Sequence, residues 1–161
     1  MASNLFSELV KQHFAYLKDN YGFSVTHESF YPEAMGNAEV WFKSTLTGIR
    51  VVLDRGQALI SIGSLSQPER EWFELYDVVQ FFSPGLSVYE FPKDFSDYKV
   101  ALESQVSRLA RIMLQHCEPL LKGDFSMQKE IKEIEKRRVD KMLEGFNKLS
   151  QEYRKGKSTS Q

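Results

Sequence analysis

Gly48-Ile49-Arg50-Val51-Val52-Leu53-Asp54-Arg55-Gly56-Gln57-Ala58-Leu59-Ile60-Ser61-Ile62-Gly63 is the stretch that decides the fold. Two runs rich in branched aliphatic residues flank Asp54-Arg55-Gly56, where Gly56 can take a positive φ without steric cost. That is the pattern of a β-hairpin, with strands over residues 49–53 and 57–62. Upstream, Glu39-Val40-Trp41-Phe42-Lys43 is rich in strand formers, and residues 45–48 form the turn that joins it to the hairpin. Residues 23–30 alternate with a period of two. This spacing predicts a half-buried strand with Phe23, Val25 and His27 on one side. Short links between successive strands predict a four-stranded antiparallel meander.

The sequence on both sides of this sheet follows helical periods. Asn4 caps a helix over residues 5–20, in which Leu5, Phe6, Leu9, Val10, Phe14 and Leu17 recur at three- and four-residue steps. Pro68 opens a short, very apolar helix that includes residues 72–82 and ends at Ser83-Pro84-Gly85. Residues 88–91 read as a short strand or an ordered loop. From 94 to 121, Leu102, Val106, Leu109, Met113, Cys117 and Leu120 define a strongly amphipathic helix that Pro119 kinks or ends. A last helix carries Ile131, Ile134, Met142, Phe146, Leu149 and Tyr153 in a narrow stripe interrupted by Arg138 and Gly145.

The predicted architecture is α+β. Residues 1–123 form a globular domain whose sheet is covered on one face by helices, 124–155 form a charged C-terminal helix, and 156–161 form a disordered tail. A chain of 161 residues with 42% hydrophobic and 13% aromatic content suits one domain with a full core. The formal net charge of −1 argues against a polyelectrolyte seeking nucleic acid, but it hides an asymmetry. Residues 127–161 carry ten basic and six acidic side chains, so the tail is basic and the body acidic. With no secretory signal pattern and no long apolar run, the expectation is a soluble cytoplasmic protein with no membrane partner.

No catalytic motif emerges. His13, His27 and His116 lie in three different elements, without metal-ligand spacing. Cys117 neighbours His116, but adjacent helical residues point about 100° apart, and Cys117 lies on the apolar stripe. Gly156-Lys157-Ser158 lacks the upstream strand of a phosphate-binding loop. No cofactor is expected. Lys136-Arg137-Arg138 and Lys141 are interleaved with glutamates that oppose a phosphate backbone.

Two surfaces point to recognition instead. Acidic and aromatic residues cluster from Glu71 onwards, and we read Glu71, Trp72, Glu74, Tyr76, Asp77, Tyr89, Glu90 and Asp94 as a contact face for a basic protein partner. The apolar stripe of the last helix, with Ile131, Ile134, Met142, Phe146 and Leu149, is a candidate seam for pairing with a second copy as a homodimer. The leading expectation is therefore a non-enzymatic protein-binding module. The alternative is a structural protein that self-associates through its last helix, and the third is a hydrolase or nucleic-acid enzyme with a site assembled from scattered residues.

Residues 48–57, the strand that follows, and Trp72-Phe73-x-Leu75-x-x-Val78 resemble a pattern in small bacterial proteins of unknown function. Some proteins of that kind sit beside polymorphic toxins and are similar to immunity proteins, which neutralise a toxin by binding it. The resemblance covers roughly residues 21–82 and implies a binding role; it transfers no functional residue.

Overall fold

The computed structural model describes residues 4–90 and 96–158. Helices α1 (Leu5–His13) and α2 (Ala15–Tyr21) lead into strands β1 (Ser24–Tyr31), β2 (Asn37–Lys43), β3 (Thr47–Asp54), β4 (Gln57–Ser64) and β5 (Phe73–Glu74). Helices α3 (Leu75–Phe82), α4 (Tyr98–His116), α5 (Glu118–Leu121) and α6 (Gln128–Ser158) complete the chain. The sheet order is β1-β2-β3-β4-β5 with every neighbouring pair antiparallel. The protein is thus α+β with an open antiparallel sheet of five strands, not four, and a long C-terminal helix.

The hairpin forms as its sequence predicts. Asp54 pairs with Gln57, and the two residues between them both take positive φ, 49° at Arg55 and 82° at Gly56. Two consecutive positive φ values twist the turn in the sense of the flanking strands. Strict alternation then sends Ala38, Val40 and Phe42 of β2, Ile49, Val51 and Leu53 of β3, and Ala58, Ile60 and Ile62 of β4 into the core. There they meet Leu9, Val10 and Phe14 from the N-terminal helices and Val106, Leu109 and Met113 from α4.

Several expectations need correction. The helix predicted over 5–20 breaks at the buried Phe14, whose φ of −98° and ψ of 17° separate α1 from α2. In β1 a bulge between Val25 and His27 places Val25 opposite Phe42 and His27 opposite Trp41, so the two do not share a face. Phe23 is buried ahead of the strand, whereas the strand itself is largely exposed. Of the two readings of residues 88–91, the loop holds over 88–90 and the strand does not; residue 91 lies outside the described residues. The helix predicted from 94 starts at Tyr98, where the Asp97 side chain accepts a hydrogen bond from the Val100 amide at 3.2 Å. Of the two readings of Pro119, ending the helix holds: α4 stops at His116, and Pro119 lies in the first turn of the short α5. α6 runs past residue 155 to Ser158, and residues 159–161 lie outside the described residues.

The segment 72–74 is extended where the apolar run predicts a helix, and Trp72 is the cause. Gly48 and Gly63 face each other across β3 and β4, and the Trp72 ring lies over both. A Cβ on Gly48 would come within 2.2 Å of that ring, and one on Gly63 within 2.3 Å. Trp72 donates its indole N–H to the Ser64 carbonyl at 3.2 Å and packs 6.0 Å from Trp41. This holds Phe73 beside Ile62 as β5, so the helix can begin only at Leu75.

α6 leaves this body as a single 31-residue helix, about 46 Å long. Its first turns pack on α3 and β5, with Ile131 fully buried. From Asp140 to its end every residue is exposed. At 1.5 Å per residue that is roughly 28 Å of helix with no body beneath it.

Candidate functional site

The acidic and aromatic residues expected to form one contact face are divided by the fold. Trp72 is buried on the sheet. Asp77 has no exposed surface, and its two carboxylate oxygens accept hydrogen bonds from Arg138 Nε at 2.8 Å and Nη2 at 2.9 Å. This bidentate bond raises the Arg138 pKa further, with burial opposing it. Tyr89 is mostly covered, and burial pushes its hydroxyl above the ordinary tyrosine range. Glu90 bonds Arg108 of α4 at 3.2 Å, and Asp94 lies outside the described residues.

Only Glu71, Glu74 and Tyr76 remain exposed together around the start of α3. The chain's own basic helix reaches this corner: Lys132 Nζ donates to the Glu71 carbonyl at 3.1 Å and lies over the Phe73 ring. Desolvation raises the Glu74 carboxyl pKa, Arg138 opposes the shift, and Asp77 and Glu135 reinforce it. Part of the charge asymmetry between body and tail is therefore satisfied inside the molecule.

The outer face of the sheet carries an internally paired polar cluster beside its two tryptophans. Glu39 accepts from Arg50 Nε at 2.7 Å, from the Trp41 indole at 3.0 Å and from the Ser29 hydroxyl at 3.3 Å. Burial pushes its carboxyl upward, but these bonds from Trp41 and Arg50 outweigh it and leave the pKa below the usual value. Arg50 also reaches Glu69 at 3.4 Å. A shallow cleft of about 410 Å³ beside them includes Tyr31, Asp54, Leu59 and Glu74.

Cys117 and the Ser83–His116 pair are held in structural surroundings. Burial pushes the Cys117 thiol up to about 12, far from the thiolate form a nucleophile needs. Ser83 Oγ and His116 Nδ1 are 2.8 Å apart, tying the end of α3 to the end of α4. Among the described residues no carboxylate bonds His116, and neither Ser83 nor His116 lines the cleft beside Glu39 or the space between α3 and α6. Also among the described residues, no cluster of three or more His, Cys, Asp or Glu could hold a metal ion, and no helix is long and apolar enough to cross a membrane.

The seam expected along α6 is split in two. Ile131 is buried and Ile134 half-buried against the body, so both serve the fold. Met142, Phe146 and Leu149 lie on the projecting part, 50%, 62% and 63% exposed. Leu143 and Tyr153, 53% and 66% exposed, extend the same surface, and Val139 stands at its base. Val139, Met142, Phe146, Leu149 and Tyr153 follow steps of three, four, three and four, so their side chains share one side of the helix. The charged residues from Asp140 to Lys155 fall outside this line. Leu143 is absent from the seam expected from the sequence because it lies at the margin of the stripe, although the spacing from Val139 to Tyr153 is visible there.

On the side of α6 turned away from this stripe, α3 and α6 enclose an open groove of about 830 Å³. Tyr76, Phe81 and Pro84 line it from the body, and Arg137, Arg138, Asp140, Lys141 and Glu144 from α6. No family model matches the chain, and no curated protein or solved structure matches it either.

Proposed function

We propose that this protein is a non-enzymatic protein-association module whose contact element is the projecting half of α6. One observation carries the reading: five large apolar side chains, half to two-thirds exposed, form one face of a helix that has left its own body. They present on the order of 500 Å² of contiguous apolar surface, as large as the largest patches on ordinary monomers and of a size that marks interaction sites. The expected basic partner for an acidic rim is the weaker version of the idea. Asp77 is bound to Arg138, and Lys132 lies beside Glu71.

An immunity-protein-like role, implied by the resemblance of residues 21–82, belongs to the same class because such proteins act by binding. The test compares the native chain with a Phe146→Lys/Leu149→Lys double variant. Each is assayed for stoichiometric retention of another protein chain or of a second copy, with thermal melting as the folding control. Retention by the native chain and its loss in an equally folded variant is the expected outcome. Equal retention by both would remove α6 as the contact element. A native chain that retains nothing and stays monomeric at high micromolar concentration would remove the association reading itself.

A further inference from the structure

We propose that the occupant of the α6 face is a second copy of this chain, paired antiparallel so that Met142 faces the partner's Tyr153 and Phe146 faces the partner's Leu149. The inference rests on the association reading and names its partner.

Three features lead there. The first is periodicity. Val139, Met142, Phe146, Leu149 and Tyr153 keep the alternating three- and four-residue spacing of a two-helix seam over four steps. In the proposed register, two copies overlap from 139 to 156, so the interface lies almost wholly on the part of α6 that no body covers. Gly145 flanks the seam with open space where a side chain would be, so a neighbouring helix can approach closely there.

The second feature is area. One apolar face of on the order of 500 Å² needs a matching face. Two copies together bury about 1,000 Å², the lower bound for a specific interface.

Charge fixes the direction. From residue 145 to its end, α6 carries Lys148, Arg154, Lys155 and Lys157 against Glu152 alone. Residues 1–126 carry 16 acidic against 11 basic side chains, so the body at the other end is acidic. Antiparallel pairing points each basic tip toward the partner's acidic body and keeps the two bodies at opposite ends. Parallel pairing would instead put two basic tips side by side and two acidic bodies against each other.

Light scattering and disulfide trapping test the idea together. The native chain is expected to run as a dimer at micromolar concentration. Phe146→Lys/Leu149→Lys should weaken the dimer at least on the order of a hundredfold, because both residues lie at the centre of the seam. An equimolar mixture of Met142→Cys and Tyr153→Cys chains should form a disulfide-linked dimer under mild oxidation, and neither chain alone should. In the antiparallel pair, equivalent positions lie roughly 16 Å apart along the axis, whereas in a parallel pair they meet. Cys117 is buried and does not compete.

Crosslinking of each variant with itself, with none in the mixture, would overturn the antiparallel arrangement. A dimer that survives Phe146→Lys/Leu149→Lys would overturn this face as its interface. A native monomer would overturn the second copy as occupant, and the association reading would then stand or fall on retention of a different chain.

Discussion

The two halves of α6 are one continuous helix with opposite uses of the same chemistry. Residues 128–138 bury Ile131, half-bury Ile134 and lock Arg138 onto Asp77. Residues 139–158 carry a comparable density of apolar side chains and leave nearly all of them exposed. Local sequence does not separate the halves, since both mix lysine, glutamate and aliphatic residues at similar spacing. What separates them is whether a surface lies beneath. An apolar stripe stabilises the fold only where another element covers it; beyond the edge of the body the same stripe becomes surface available to another molecule.

Substitutions can sharpen that contrast. Ile131→Ala should cost about 4 kcal/mol in urea unfolding, because a fully buried branched side chain leaves a cavity between α6 and the body. Arg138→Ala should cost on the order of 3 kcal/mol in the same measurement, since it strands the Asp77 carboxylate without its partner. If both changes proved neutral, α6 would not be anchored as described.

Glu74→Gln comes next, read as stability against pH. Desolvation raises the Glu74 pKa in the folded state. The folded protein therefore binds this proton more tightly than the unfolded chain, and the ionised form costs stability at neutral pH. The variant should be more stable than the native chain at pH 7, and the gain should fade as pH falls through the raised value towards the ordinary glutamate range. A gain that grows on acidification would refute the assignment. Smallest of all, Phe146→Ser should change monomer stability by no more than about 0.5 kcal/mol at protein concentrations too low for association. A loss comparable to that of Ile131→Ala would mean that the projecting half is covered by its own body, and the contrast would collapse.

The sheet is the legible part of the sequence. Alternation in β2, β3 and β4 sets which residues face the core, and the Asp54-Arg55-Gly56 turn leaves little freedom in register. β5 is not legible, because two residues are too few for a period to show and the apolar run around them suits a helix equally well. The split of the first helix at Phe14 carries no glycine or proline signal; the break comes from tertiary packing of a buried ring. The charged residues are the hardest to read. Asp77 looks like a surface acid in the sequence, and its arginine lies 61 positions away. The apolar residues of α6 can be chosen from their spacing, but only the edge of the body decides which of them are core and which are surface.

The Trp72 ring over Gly48 and Gly63 has a practical consequence for anyone studying α6. The chain's two tryptophans, Trp41 and Trp72, both belong to the outer side of the sheet, and α6 has none. Indole emission is therefore an intrinsic optical gauge of the sheet that is blind to the projecting helix. Loss of helical circular dichroism with unchanged emission would show the arm melting while the sheet stays closed, and the two events can be timed separately in one unlabelled sample.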